Sequence, residues 1–342
     1  MSVFVSGSTG FIAQHIVNQL LQQDYKVIAS ARTQAKADEM THNFHNPNLT
    51  MVVTGDMSKL DSFDSAFKQY GPEIKYVIHA ASPVVFDTDD VVKDTLIPAV
   101  NGTKGILESI KKYAPQSVER IVQTSSVSAL TTDPETRDPS VTANEESWNS
   151  YTWETAQASP ADAYNGSKKF AEKYLWDFLK ENKDTVKMTA TTVLPVFVFG
   201  PQMFDSSVRP TLNVSVEVIN QLIHTPPNGE VRKLAAKFIH VEDIAKAHVL
   251  AIQQDNLIGQ RLIVSEGNYS TQDILNYLNN DFPVLKGKIP AADTSALAEG
   301  KPSTDLTYDN SKSRALLNFK FKSLKQAVDD TAAQVLRHEG RL

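Results

Sequence analysis

At 342 residues the chain has room for about two ordinary domains and a large buried core. With 41% hydrophobic and 22% charged residues it is neither a disordered chain nor a coiled coil, and 34 Lys plus Arg against 40 Asp plus Glu leave a net charge of −6, the opposite of a nucleic-acid binder's basic footprint. It has no cysteine, which removes disulfides, thiolate nucleophiles and Cys-ligated zinc together. No apolar run is long enough to span a bilayer. Residues 1–10 lack the basic start and apolar stretch of a signal peptide. The expectation is a cytoplasmic protein, monomer or homodimer, with neither membrane nor nucleic acid as partner.

The first half alternates short Val/Ile-rich runs with amphipathic stretches. Residues 2–6, 26–31, 50–54, 76–80 and 120–124 read as buried strands. Ile12, Ile16 and Leu20 share one helix face, and Ile97, Val100, Ile106, Leu107 and Ile110 mark another helix. A helix over 161–181 and a strand over 188–194 follow. Then come a Pro-interrupted segment (195–210), a helix (211–222), a loop (225–229), a strand-to-helix unit (237–253) and a strand (261–265). Residues 270–280 start a helix capped by Ser270 or Thr271. Residues 287–303 read as a surface loop, and a last helix covers 324–339. Strand, helix and strand in alternation predict an α/β, Rossmann-type doubly wound parallel sheet with a smaller, discontinuous C-terminal substrate domain. The division expected is 1–194 plus about 237–265 for the domain of the large sheet, and about 195–236 plus 266–342 for the smaller domain.

Gly7-Ser8-Thr9-Gly10-Phe11-Ile12-Ala13 links the first strand to the first helix. One glycine permits the tight turn, the second lets backbone approach a pyrophosphate, and a small third residue lets helix and strand pack closely. The helix start then offers free N–H groups to phosphate. An NAD enzyme usually carries Asp or Glu at the end of the second strand. Here that position reads Ala29-Ser30-Ala31-Arg32, with Lys36 four residues on. Two cations suit a 2′-phosphate, so the cofactor expected is NADPH/NADP+. Asp56, followed by Met57, either accepts from the adenine amino group or caps its own turn. Ala80-Ala81-Ser82 ends the fourth strand with small side chains that a close-lying cofactor needs.

Tyr164-Asn165-Gly166-Ser167-Lys168 places Tyr and Lys on one helix face. A nearby ammonium is expected to lower the phenol pKa from about 10 and to hold the cofactor ribose. Ser126 ends the fifth strand, at the edge where parallel sheets bind ligands. Its hydroxyl can donate to a carbonyl oxygen.

With these motifs in this order, the chain resembles the extended short-chain dehydrogenases/reductases. Within them it is similar to the group of yeast NADPH-dependent methylglyoxal, ketone and aldehyde reductases, related to dihydroflavonol and cinnamoyl-CoA reductases. The resemblance covers essentially the whole chain. It includes Ile97-Pro98-Ala99-Val100-Asn101-Gly102, Asn144-Glu145-Glu146-Ser147-Trp148-Asn149, Phe199-Gly200-Pro201-Gln202-Met203-Phe204 and Gly259-Gln260-Arg261-Leu262-Ile263-Val264-Ser265. It implies catalytic Ser126, Tyr164 and Lys168. It implies cofactor contacts from Gly7 through Ile12, Arg32, Lys36, Asp56, Met57, Ala80, Tyr164, Lys168, Pro195, Val198 and Ser215. Asn101 matches a family asparagine whose role is structural or in a proton relay. Val127, Leu194, Val196, Val214 and Ala161 depart from the family around the pocket, so they bear on substrate preference. Val84, Phe86, Val127, Ala161, Val196, Phe197 and Met203 are the expected pocket residues.

The implied activity is reduction of an aldehyde or ketone to an alcohol. The alternatives are an NAD-dependent nucleotide-sugar epimerase or dehydratase, against which Arg32 speaks, and a non-catalytic NADP(H) sensor, which would have no use for Ser126, Tyr164 and Lys168 together. His42 and His45 are spaced like metal ligands but lack a third, so no metal is expected. His79 reads as a hydrogen-bonded structural histidine.

Overall fold

In the computed structural model, which describes residues 1–132, 134–301 and 306–342, strands and helices alternate from the start. The first part runs β1 (Ser2–Ser6), α1 (Phe11–Leu21), β2 (Lys26–Ala31), α2 (Gln34–Phe44), β3 (Leu49–Val53), α3 (Asp64–Tyr70), β4 (Ile74–His79), α4 (Ile97–Tyr113), β5 (Arg120–Thr124), the two-residue β6 (Thr142–Ala143), α5 (Pro160–Glu181) and β7 (Thr189–Pro195). The second runs β8 (Phe197–Phe199), α6 (Val214–His224), β9 (Ala235–His240), α7 (Val241–Gln253), β10 (Arg261–Val264), β11 (Gly267–Ser270), α8 (Thr271–Asp281), the two-residue β12 (Thr307–Tyr308), α9 (Ser311–Leu317) and α10 (Leu324–His338).

Seven strands form the main sheet in the order β10-β7-β5-β4-β1-β2-β3, every neighbouring pair parallel. The chain winds outward from β1 to β3, then returns to β4 beside β1. That reversal creates the crevice in which doubly wound sheets bind ligands. Helices cover both faces, which is why the strands are nearly continuous apolar runs. In β1, Val3 and Val5 join Ile16, Val17 and Leu20 of α1 and Ile244 of α7. Phe4 faces the other way, against Phe63, Phe67, Ile106 and Ile110.

A second sheet, β11-β9-β8, pairs β8 with β9 in parallel and β9 with β11 in antiparallel fashion. Phe199, Phe238 and Tyr269 form its core with Leu275 of α8 and Val328 of α10. The 237–253 unit is therefore shared. Its strand, β9, pairs in the small sheet, while its helix, α7, packs on α1 under the large one.

Helix starts follow local chemistry. Ser159 caps α5 by accepting from the Asp162 N–H, with Pro160 in the first turn. Ser270, not Thr271, caps α8, in a reciprocal pair with Asp273. The helix expected from residue 211 starts at Val214, because the Leu212 N–H donates to the Glu217 carboxylate instead (2.7 Å). The periodicity argument missed α3 and α9, which are seven residues each and too short to show a repeat. It also missed β8, inside the Pro-interrupted segment, and β11, whose Gly-Asn-Tyr-Ser has no alternation. Of the expected surface loop, residues 302 and 303 lie outside the described residues. No helix among the described residues is long and apolar enough to cross a membrane.

Candidate active site

The candidate residues gather in the loops that leave the carboxyl ends of the main-sheet strands. Gly7, at φ +64°, turns the chain after β1. A Cβ there would sit 2.7 Å from Ala81 Cα, so the loops after β1 and β4 touch through glycine. Ser8 is fully buried, and both its N–H and its hydroxyl donate to the Ser30 carbonyl at 3.0 Å. Its side chain anchors the loop to β2. Thr9, Phe11 and Ile12 are half-buried and Gly10 is exposed. Gly10 is the first cap of α1 and brings no side-chain acceptor, so the first helix N–H groups keep their capacity for an anion.

At the end of β2, Arg32 and Lys36 are both exposed, and Lys36 pairs with Glu39 at 2.7 Å. No carboxylate stands at the strand end itself. Asp56 is exposed, and its carboxylate accepts from the Ser58 N–H (2.9 Å) and hydroxyl (2.8 Å). These bonds, with a smaller contribution from Arg32, hold it below the usual carboxylate range. The turn-capping role is thus realised. Asn101 donates to the Ser58 carbonyl at 2.7 Å, which commits its amide to a structural bond. Gly102 leaves room for Met57, whose Cε lies 2.3 Å from where a Cβ would stand.

Ser126 is the second residue after β5 and is buried, its oxygen accepting from the Ser128 N–H at 3.1 Å. Tyr164 is half-buried on α5, and its ring lies 5.4 Å from that of Phe86. Lys168 is one turn further along the helix and buried. Its Nζ donates to Ser82 Oγ at 2.9 Å and stands 5.4 Å from the Tyr164 ring centroid. Sequence reasoning brought in Ser82 only for its small size, not as a partner of Lys168.

One expectation is corrected here. Lys168 does not lower the Tyr164 pKa. Burial pushes that phenol up, and only the Ser126 hydrogen bond pulls it back. The ammonium is bonded to Ser82 and not to the phenol. Burial brings Lys168 itself down to about 8. Beneath them, His79 Nδ1 is 2.8 Å from Ser6 Oγ and Nε2 is 3.4 Å from Thr103 Oγ1. Burial, then the Lys168 charge, brings His79 to about 3 and keeps it neutral.

The expected pocket residues divide. Val84 and Phe86 are 48% and 43% exposed, and Ala161, in the first turn of α5, is exposed as well. Ser215 is half-buried in the first turn of α6, beside exposed Val214. Val196 is half-buried between two core clusters. The remaining pocket candidates, and Val198 and Pro195 of the expected cofactor contacts, occupy other positions. Val127 is core, packed with Leu130, Leu194 and Ile263. Strand alternation in β8 sends Val198 into the large core and Phe197 toward the small one, where its ring meets Phe199 and Tyr269. Pro195 is buried in its pairing with Val264. Met203 lines a different cavity, between α1 and α10, with His15 and Gln334.

The model of the NAD dependent epimerase/dehydratase family matches residues 3–264. The chain is 54% identical to the NADPH-dependent methylglyoxal reductase GRE2 of Saccharomyces cerevisiae, over 100% of each chain. The crystal structure of yeast methylglyoxal/isovaleraldehyde reductase Gre2 complexed with NADPH superimposes at a TM-score of 0.97, with 55% identity and 100% of both chains covered. That of Gre2 in complex with NADPH from Candida albicans gives 0.93, at 39% identity over 99% of each. A glycine turn at the switch point, a Ser–Tyr–Lys cluster at the same sheet edge and matches of this length have one explanation: the chain belongs to the NAD dependent epimerase/dehydratase family, the extended short-chain dehydrogenases/reductases.

Proposed function

We propose that this chain is an NADPH-dependent carbonyl reductase that converts aldehydes and ketones to alcohols, with Tyr164 as proton donor. The observation that carries this reading is the placement of Tyr164 and Lys168 one turn apart on α5, with the Lys168 Nζ 5.4 Å from the Tyr164 ring, and of the buried Ser126 just past the carboxyl end of β5. The cofactor fits the residues present. Gly7 leaves backbone room that a Cβ would fill, the start of α1 has no side-chain cap, and the end of β2 presents Arg32 in place of an acid. Gly7 to Ile12 would hold the pyrophosphate, Arg32 and Lys36 the 2′-phosphate, and Lys168 the ribose. When bound, NADPH supplies the hydride.

The protein's own work is orientation and proton delivery. The Ser126 and Tyr164 hydroxyls donate to the substrate carbonyl oxygen and polarise the bond. As charge develops there, Tyr164 Oη gives up its proton. A phenol held above the ordinary tyrosine value is fully protonated at neutral pH, as a donor must be. Lys168, with a pKa near 8, can pass a replacement proton. Val84 and Phe86 offer apolar surface beside Tyr164, which suits uncharged carbonyl compounds with apolar substituents. Methylglyoxal and isovaleraldehyde, named for the yeast relative, are of this kind. We assign the enzyme to the cytoplasm, since a chain without cysteine has no use for an oxidising compartment.

The test is turnover of NADPH, with NADH in parallel, over methylglyoxal, a branched aldehyde, a β-ketoester and an aryl ketone. Turnover should favour NADPH, and Tyr164→Phe should lower it by about 10²–10⁴-fold with the fold intact. Normal turnover in that variant overturns the mechanism. No turnover across the panel, in folded protein that binds NADPH, favours the sensor.

A further inference from the structure

Two stretches that carried the family resemblance run over 144–149 and 259–265. They meet at a buried ion pair. Glu172 is completely buried on α5 and continues the face of Tyr164 and Lys168 at the same four-residue interval. Its carboxylate accepts from one residue on each of three strands: Ser125 Oγ just past β5 (2.5 Å), Thr192 Oγ1 of β7 (2.8 Å) and Arg261 Nε of β10 (2.6 Å). Arg261, 9% exposed, donates onward to the carbonyls of Glu145 (2.8 Å) and Ser147 (2.6 Å), and its guanidinium lies 3.7 Å from the centroid of the Trp148 ring. The next residue, Asn149, closes the path. Its amide donates to the Ser128 carbonyl (2.7 Å) and to the Asn165 carbonyl (3.1 Å), and its N–H donates to the Ala129 carbonyl (2.9 Å).

These bonds form a closed circuit. It leaves α5 at Glu172, enters the chain at Ser125, passes Ser126, leaves at Ser128 and Ala129 through Asn149, and returns to α5 at Asn165 or, by Trp148 and Arg261, at Glu172. Ser126 and Val127 are the two residues between Ser125 and Ser128, the points where the circuit grips this segment. Tyr164 is adjacent to the residue whose carbonyl is held. We propose that Glu172 and Arg261 are positioning residues, which fix the Ser126 hydroxyl relative to Tyr164 through Ser125 and Asn149. Apolar side chains of similar volume would join α5 to three strands without the desolvation cost of a buried ion pair. What they would not supply is direction, because only hydrogen bonds orient the Ser125 hydroxyl and the 144–149 loop. The proposal rests on the assignment of Ser126 and Tyr164 as the groups that act on the carbonyl.

The test is a series of four proteins: wild type, Tyr164→Phe, Ser125→Ala and Glu172→Gln. Ser125→Ala removes one hydroxyl, leaves every charge in place and keeps the measurement possible if Glu172→Gln does not fold. For Ser125→Ala we expect kcat to fall about fivefold or more, the scale of one net hydrogen bond. The KM and the NADPH dissociation constant should stay at wild-type values, while the melting temperature falls by a few degrees because buried Glu172 loses one donor. The Ser126 bond pulls the Tyr164 pKa down, so loosening it should move the rising limb of alcohol oxidation by NADP+ to higher pH. Folded Glu172→Gln should show the same two changes, larger. Wild-type kcat and an unmoved limb in Ser125→Ala, beside an inactive Tyr164→Phe, overturn the positioning role alone. Loss of kcat that only tracks loss of folded protein, with the limb unmoved, also overturns it. Full activity of Tyr164→Phe overturns the reading beneath it.

Discussion

The large parallel sheet and the small mixed sheet draw on the same apolar residue types but leave their polar groups in different places. In the large sheet β1 is buried along its whole length, and every strand runs the same way. All carboxyl ends, and the helix starts that follow them, therefore open on one edge. The polar candidates, from Gly7 and Arg32 to Ser126, collect there. In the small sheet β11 runs against β9, so strand ends fall on both edges. Its core is aromatic, with Phe199 and Tyr269 ring centroids 4.8 Å apart, and it carries none of the candidate hydroxyls. A uniform strand direction concentrates chemistry, whereas a mixed one makes a wall.

The largest effect that would break this comparison is expected at Gly7. A Gly7→Ala variant must hold a non-glycine residue at φ +64° and move the Ala81 backbone, 2.7 Å from the new carbon. Loss of at least about 2 kcal/mol of unfolding free energy in urea should accompany weakened NADPH binding. Wild-type values in both would mean that the two loops do not need to touch.

Next is the end of β2. Arg32→Glu should reduce the preference for NADPH over NADH by roughly 10–100-fold, the scale of one lost charge-assisted hydrogen bond. The ratio of kcat/KM values measures it. An unchanged ratio would place the 2′-phosphate elsewhere.

Acid should weaken both regions together. Burial lowers His79 to about 3 under the large sheet, and His248 of α7 and His240 of β9 to about 4 each. The unfolded chain, with histidines near 6.5, takes up protons first. Stability from these groups is therefore complete above about pH 6.5 and declines as pH falls toward 4. Melting temperatures between pH 8 and 4.5 should show that decline, and a flat curve would deny it.

Gly267→Ala in β11 should change least. Its new carbon would meet only Phe238 Cε1, at 3.9 Å, in an ordinary backbone conformation. A gain below about 1 kcal/mol is expected, from the smaller entropy of the unfolded chain. A loss comparable to that of Gly7→Ala would remove the contrast between the two sheets.

Strand and helix alternation, the glycine turn, the absence of an acid at Arg32 and the Tyr164–Lys168 interval were all legible along the chain. Each is a short-range pattern, set by a 2- or 3.6-residue period or by one tight turn. Tertiary structure alone decided the partners. Lys168 meets Ser82, 86 residues away, and Arg261 meets Glu172, 89 residues away, because β4, β5, β7 and β10 lie side by side in the sheet, with β1 on the far side of β4. It also decided that the Tyr164 phenol is raised rather than lowered, and that Val127 and Val198 are core and Phe197 half-buried while Val84 and Phe86 are surface. Residue type and spacing carry a side chain's chemistry. Its solvation, and the charge beside it, depend on segments that only folding brings near.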